Sequence, residues 1–276
     1  MWGRIEPLMP ADPVRGRRWA DHRRTLEAIA WKYRTNSPWR DLPDELGSFQ
    51  TAHKRLIRWA VDGTWTMILA AVLAAADADD DIDWTVSVDS TVVRAHQHAA
   101  GALKRGRSTA GEPADHALGR SRGGLSTKVH LVADGRARPL AFTITAGQAG
   151  DAPAFGTVMS RIRVPRTGPG RPRTRPLAVL ADRAYSSRAI RAHLRRRGIR
   201  AVIPEPSDQV GHRLRRGRLG GRPPGFDSEA YKQRNTVERC INRLKQWRGL
   251  ATRTDKLAIA YQAALHLAGI LIWTRR

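Results

Sequence analysis

The chain has 276 residues, of which 41% are hydrophobic and 27% are charged, enough for one large domain or for a small and a medium one. Its 49 Lys and Arg residues against 25 Asp and Glu residues give a formal charge of +24, which favours nucleic acid as the partner. The single cysteine excludes a disulfide framework and a cysteine-based zinc finger. The first ten residues lack a secretory pattern, so a cytoplasmic protein is expected.

Residues 1–76 predict a small all-helical domain. Six of the nine tryptophans lie there, and apolar residues recur at helical spacing over 19–34, after Ser48, and over 65–76. Basic residues on the exposed side of the middle helix allow a helix-turn-helix interpretation in which this domain binds DNA: Lys54, Arg55 and Arg58. A helical dimerisation module fits the same pattern equally well.

The aspartates of segment 77–83 predict an acidic linker, because like charges at this density resist packing. After it, residues 84–276 predict an α/β domain with a mixed sheet and helices on both faces. Strands are expected at 84–93, 127–133, 140–145, 177–181 and 201–204, and helices at 152–161, 187–197 and 228–249. The apolar stretch 257–273 is too short and too interrupted for a membrane span, and a buried helix is expected there.

Three Gly-, Pro- and Arg-rich connections, 101–124, 164–176 and 211–225, are expected to be mobile, basic loops that face DNA. Within the second of them, Arg171 and Arg173 flank a proline in a pattern that could enter an A·T-rich minor groove. Contact with phosphates without base preference is the simpler interpretation of this loop.

Two aspartates occupy positions where a surface acid is unusual. Asp89 interrupts a β-branched run that predicts a buried strand, and a charge there is costly without a partner. Asp182 directly follows the apolar run 177–181, at the carboxyl end of a strand, where α/β sheets build their sites. Each residue on its own could also be an ordinary capping or turn aspartate.

Glu238 belongs to a polar stripe on the predicted helix 228–249. Tyr231, Arg234, Glu238 and Lys245 fall within about 60° of one another at about 100° per residue, beside an apolar arc that contains Cys240. On its own, this stripe could also be the solvent-exposed face of an ordinary helix that carries an Arg–Glu pair.

These residues resemble the DDE transposases of bacterial insertion sequences, and within them the IS-five family. The most specific motif is Tyr231-x2-Arg234-x3-Glu238-x6-Lys245, which is similar to the family's Tyr-Arg-Glu-Lys signature. The segments around Asp182 and Asp89 look like the blocks that hold the family's other two acids. Segments 119–128 and 38–43 are also similar to family blocks, so the resemblance covers nearly the whole chain.

The resemblance implies a ribonuclease H-like mixed sheet with flanking helices, in which Asp89, Asp182 and Glu238 converge as catalytic residues and hold two Mg²⁺ or Mn²⁺ ions. It implies a transposase that cuts element-end DNA by phosphodiester hydrolysis and joins the 3′-hydroxyl to target DNA. Arg234 and Lys245 would contact phosphate, and Tyr231 would position the strand end. Double-stranded DNA would be the partner, with a homodimer in the synaptic complex, a nucleoid-associated location and no membrane.

Three alternatives remain open at this point. A domesticated, catalytically silent DNA-binding protein derived from a transposase would have the same composition. A DNA-binding regulator would explain the charge but not acids at a strand centre and a strand end. An RNA-processing nuclease would use similar carboxylates but would lack the Tyr, Arg and Lys partners.

Overall fold

Four helices form the amino-terminal part of the computed structural model, which describes residues 1–16, 18–104 and 109–275. They are α1 (Trp2–Ile5), α2 (His22–Thr35), α3 (Phe49–Val61) and α4 (Thr64–Ala78). Asp21 caps α2 by accepting a hydrogen bond from the Arg24 N–H, and α2 ends at Asn36, which takes the left-handed conformation. The predicted helical segment is confirmed, and its role in DNA binding stays a prediction.

A seven-stranded mixed sheet follows. Its strands are β1 (Thr85–Ala95), β2 (Gly119–Ser121), β3 (Gly124–Ala133), β4 (Pro139–Ala146), β5 (Ala178–Ala181), β6 (Arg200–Val202) and β7 (Thr252–Arg253). Apart from the short β2 and β7, the order across the sheet is β4-β3-β1-β5-β6, and β3 alone among these five runs against the others. This order confirms the expected ribonuclease H-like mixed sheet.

Eight further helices flank the sheet: α5 (Gln97–Ala100), α6 (Asp151–Ser160), α7 (Arg188–Arg196), α8 (Ser207–Arg215), α9 (Ser228–Tyr231), α10 (Asn235–Lys245), α11 (Arg248–Ala251) and α12 (Ala258–Thr274). Helix α12 lies between α2, α3 and α4 on one side and β4 on the other, and nearly all of it is buried. The predicted buried helix is therefore confirmed. It joins the amino-terminal helices and the sheet into one apolar core.

Among the described residues, no single helix has both the length and the apolar composition that crossing a membrane requires. Helices α3 and α4 meet that requirement only when taken as a pair, and they bend by 72° at their junction.

Two aspartates of the acidic segment 77–83 pack against the sheet domain, so the expectation that its charges resist packing is wrong for these two, whereas Asp79, Asp80 and Asp83 are exposed. Asp81 is 6% exposed and forms ion pairs with Arg136 and Arg138. Asp77 lies within α4 and pairs with Arg173. Each of these carboxylates is compensated by an arginine from the sheet domain, which the local charge pattern cannot show.

Two of the three predicted loops contain regular structure. In 101–124, β2 pairs with β3, and Glu112 accepts hydrogen bonds from the Ala258 and Ile259 N–H groups at the start of α12; residues 105–108 lie outside the described residues. In 211–225, the first residues belong to α8, which ends at Arg215. The loop 164–176 is irregular as predicted, apart from one bridge between Val164 and Arg173.

Candidate active site

Two of the predicted acids lie side by side at the carboxyl end of the sheet. In the parallel ladder between β1 and β5, Val88 pairs with Ala181. Asp89 follows Val88 and Asp182 follows Ala181. The two aspartates therefore lie at the same level of neighbouring strands, about 4.8 Å apart, and on the same face of the sheet. The sequence folds this way because β5 ends in an apolar run, and Asp182 then caps the following turn by accepting a hydrogen bond from the Ala184 N–H at 2.9 Å.

The third acid reaches this pair through an arginine. Arg234 ends a short 3₁₀ turn, 232–234, that leads into α10, and Glu238 lies in the first turn of that helix. The Arg234 guanidinium donates one hydrogen bond to Asp89 and another to Glu238, both at 2.8 Å. Helix α10 is held over β1 by a buried hydrogen bond of 2.9 Å from the Thr236 hydroxyl to the Ser87 hydroxyl, on the face that also presents Asp89.

The pKa values of the site reflect the proximity of these groups. The pKa of Asp89 is raised, first by burial and also by the negative charges of Asp182 and Glu238, against the lowering influence of the Ser90 N–H and Arg234. The pKa of Arg234 is also raised: burial lowers it, but the nearby Asp89, Tyr231, Glu238 and Asp182 outweigh burial. The site is thus a cluster of three carboxylates in which a single guanidinium supplies part of the missing positive charge.

The remaining residues of the predicted stripe take two different positions. Tyr231 ends α9 and packs against Phe226, with ring centroids 5.3 Å apart. Lys245 lies at the last position of α10 and donates a hydrogen bond of 3.4 Å to the Val92 carbonyl oxygen of β1. The prediction of one uninterrupted helix over 228–249 is wrong. The 3₁₀ turn separates α9 from α10 and places the Arg234 side chain over β1, which spacing alone does not predict.

The other predicted DNA contacts are only partly available. Arg55 is buried, with its guanidinium 3.9 Å from the Trp19 ring centroid and donor to His22, so its expected place on the exposed side of α3 is wrong. Arg173 pairs with Asp77 and stacks on Trp84 at 4.0 Å. Three of the predicted contacts do lie at the surface: Lys54, Arg58 and Arg171. Their roles in DNA binding stay predictions.

The donor chemistry of the site fits hard divalent cations, because all three acids offer oxygen ligands. With Arg234 between Asp89 and Glu238, the part of the chain that the structure describes contains no group of three or more His, Cys, Asp or Glu residues gathered closely enough to hold a metal ion. The guanidinium is paired with both Asp89 and Glu238, so a divalent ion held by these carboxylates would compete with it.

A second polar cluster lies on the opposite face of β1, and the sequence analysis does not predict it. Asp151 accepts hydrogen bonds from the Ser90 hydroxyl at 2.6 Å and the Lys128 ammonium at 3.0 Å. His130 lies beside them with its pKa lowered to about 4, chiefly by burial. Ser90 directly follows Asp89, so this cluster holds the centre of β1, which presents the first acid. The signal in the sequence is the alternation of Lys128 and His130 with the apolar Val129 and Leu131 in β3.

Two family models match the chain. Residues 1–69 match a family described as "Putative transposase of IS4/5 family", and residues 81–273 match one described as "Transposase DDE domain". The second match covers more than half of the chain. The chain belongs to the DDE transposase family. Membership in this family implies dependence on divalent metal ions.

Relatives of the transposase point the same way. It is 30% identical over 151 residues to the "Putative transposase for insertion sequence element IS6501" of Brucella ovis, which covers 55% of this chain and 100% of that protein. It is 32% identical over 146 residues to the "Putative transposase for insertion sequence element IS402" of Burkholderia cepacia, covering 53% and 62%. The Mos1 transposase in a paired-end complex is a solved structure with 12% identity, a TM-score of 0.26 and coverage of 90% and 83%.

Proposed function

We propose that this chain is an active DDE transposase that binds the ends of its insertion sequence, cuts them by metal-dependent phosphodiester hydrolysis, and joins the 3′-hydroxyl to target DNA. The observation that carries this proposal is geometric: Arg234 donates hydrogen bonds to both Asp89 and Glu238, and Asp182 follows the residue that pairs with Val88 in the ladder between β1 and β5. A DNA-binding regulator has no need for three mutually repelling acids at the end of a sheet.

Asp89, Asp182 and Glu238 would hold the two Mg²⁺ or Mn²⁺ ions that we infer from the oxygen donors. When bound, such ions activate the attacking oxygen and stabilise the leaving oxygen of an in-line displacement at phosphorus. The same three side chains therefore serve both hydrolysis and strand transfer, because only the attacking hydroxyl differs between the two reactions.

Arg234 has two roles in this proposal. Before DNA binds, its guanidinium offsets the repulsion between Asp89 and Glu238. When the scissile phosphate enters, the fork of guanidinium donors suits its oxygens, so Arg234 exchanges a carboxylate partner for a phosphate. Lys245, partly buried at the end of α10 with its pKa lowered by that burial, would contact the same strand, and Tyr231, a neighbour of Arg234, would position the strand end.

The test is cleavage of a duplex that carries the ends of the element, with Mg²⁺ or with EDTA. We expect cleavage by the wild type only with the metal, and none by Asp89→Asn, Asp182→Asn or Glu238→Gln. Each variant should bind the duplex at least as well as the wild type, because removing a negative charge does not weaken phosphate attraction. Exposed Asp208 provides the matched control Asp208→Asn, which should cleave normally.

Two results would contradict the proposal. Binding without any cleavage by the wild type would identify the catalytically silent alternative. Near-normal cleavage by any of the three acid variants would show that this residue has no catalytic role.

A further inference from the structure

A basic cleft lies between α7 and α8, next to the candidate active site. We call it the arginine cleft; its volume is about 850 Å³. One glutamate lines the cleft, Glu205, and it is already paired with Arg213. The lining also includes six arginines: Arg188, Arg191, Arg195, Arg213, Arg216 and Arg222. The cleft therefore has a large local excess of positive charge.

The two helices turn matching faces toward this cleft. On α7, Arg188, Arg191, Ala192 and Arg195 follow the i, i+3, i+4, i+7 pattern of one helical face, while Ile190 and Leu194 face the core. On the other wall the same pattern recurs at 209, 212, 213 and 216. Arg213 is paired with Glu205 and Gln209 is uncharged, so the repulsion across the cleft is chiefly between Arg216 and the arginines of α7, and an anion between the walls would relieve it.

The cleft is held in place by hydrogen bonds that converge on Ser186. The Arg191 guanidinium donates to the Ser186 hydroxyl at 2.9 Å and to the Ile203 carbonyl oxygen at 2.7 Å. The Ser186 hydroxyl also donates to the side-chain carbonyl oxygen of Gln209 on α8, and the Gln209 NH₂ group donates to the Ser186 backbone carbonyl oxygen. Gly220 closes the far end, since a Cβ there would lie 2.1 Å from the Arg213 carbonyl oxygen. The walls are thus fixed relative to one another before any ligand binds.

The sheet register places this cleft beside the catalytic acids. In the ladder between β5 and β6, Leu180 pairs with Val202. Asp182 and Pro204, each two residues further on, therefore lie at the same level just beyond these two strands, about 4.8 Å apart. Glu205, the next residue, already lines the cleft, as does Ser186, four residues after Asp182. A chain of phosphates leaving the acids in this direction enters the cleft directly.

From these observations we infer that the arginine cleft holds the phosphate backbone of one DNA strand adjacent to the scissile phosphate. This inference rests on the proposed function. A duplex is wider than its major groove, which is itself about 12 Å wide, so a duplex does not fit into a cleft of about 850 Å³. The volume of the cleft suits a short length of one strand. Among the described residues that line it, the one aromatic ring is the imidazole of His212, so the cleft offers charge for phosphates rather than rings for stacked bases.

The contribution of the cleft can be measured as the salt dependence of DNA binding. The test variant is Arg188→Gln/Arg195→Gln, which removes two exposed charges from one wall. The matched control is Arg163→Gln/Arg196→Gln, which removes two exposed charges outside the cleft, one of them from the same helix α7. Affinity for a labelled duplex with the element end and its flanking DNA is measured in EDTA by fluorescence anisotropy between 50 and 200 mM salt.

Each phosphate contact contributes about 0.9 to the slope of log K against log salt. We therefore expect the slope of the test variant to fall by about 1.8, so that its loss of affinity between 50 and 200 mM salt is about tenfold smaller than for the wild type. The control slope should change little. The single variant Arg222→Gln, on a loop outside both helices, should lower the slope by about 0.9 and guards against a helix-folding effect.

The outcomes separate the two proposals. If the wild type binds and cuts the end duplex but the test variant and Arg222→Gln keep the wild-type slope, the cleft inference is overturned while the proposed function stands. The cleft inference is also overturned if the control lowers the slope as much as the test variant does. If the wild type neither prefers nor cuts end DNA, the proposed function fails first.

Discussion

Removing the cation of Arg234 should destabilise the fold mainly through Asp89. Arg234 contacts Asp89 and Glu238 at the same distance, 2.8 Å, but the Asp89 side chain is 19% exposed and that of Glu238 is 53% exposed. Leaving a buried charge without its partner costs about 3–5 kcal/mol. Because a fifth of Asp89 still reaches water, we expect Arg234→Met to lower the free energy of unfolding by roughly 2 kcal/mol.

Two double-mutant cycles in urea denaturation apportion this loss. The coupling between Arg234→Met and Asp89→Asn should be about 1.5 kcal/mol, because both partners are largely shielded from solvent. The coupling between Arg234→Met and Glu238→Gln should be at most about 0.5 kcal/mol, the value for an exposed pair four residues apart on a helix. Equal couplings, or a coupling to Asp89 no larger than that of the exposed pair, would refute the reasoning.

Four further predictions concern stability. First, Arg138→Met should lower the free energy of unfolding by about 3–5 kcal/mol in urea, because it leaves the fully buried carboxylate of Asp134 without its guanidinium and removes one of the guanidinium partners of Asp81; a loss below 1 kcal/mol would contradict this. Second, Gly249→Ala should destabilise by about 1–3 kcal/mol, since its Cβ would lie 2.9 Å from the Tyr33 ring and 3.0 Å from the Tyr33 carbonyl oxygen. The control Gly156→Ala, with open space in α6, should be neutral or stabilising by up to about 1 kcal/mol, and the opposite order in thermal melts would refute the packing. Third, folding lowers the pKa of buried His266 to about 4, so its contribution to stability is present above the unfolded pKa and should fall by roughly 2 kcal/mol as the pH drops from 6.5 to 5; urea titrations of His266→Phe should lose correspondingly less. Fourth, folding raises the pKa of Asp89, so the ionised form opposes folding, and Asp89→Asn should gain stability relative to the wild type as the pH rises through the folded pKa. A gap that does not change with pH would contradict it.

Local patterns in the sequence were sufficient to predict most elements of the fold. The β-branched run around Asp89 predicted β1, and the interrupted apolar stretch at the carboxyl end predicted the buried α12. These predictions succeed because a helix or strand that packs on a core needs apolar residues at regular spacing, and this spacing is visible among residues that are close in sequence. The order of the strands was expected from the resemblance rather than from any pattern within the chain.

The errors arose where distant residues decide the outcome. Arg55 looked exposed on its own helix, yet it stacks on Trp19, which lies 36 residues earlier. The acidic segment looked unable to pack until the arginines of the sheet domain supplied its counter-charges. The 3₁₀ turn that places Arg234 over Asp89 has no signature in the spacing of the stripe. Such contacts join segments far apart in sequence, and single-sequence patterns do not report them.

Binding of Mn²⁺ tests most directly whether Asp89, Asp182 and Glu238 form one metal site. Free Mn²⁺ can be titrated by electron paramagnetic resonance in the presence of element-end DNA, for the wild type and for each of Asp89→Asn, Asp182→Asn and Glu238→Gln. Each substitution alone should abolish the tight binding that the wild type and Asp208→Asn share. Tight binding that survives in any one of the three variants would show that its carboxylate lies outside the site.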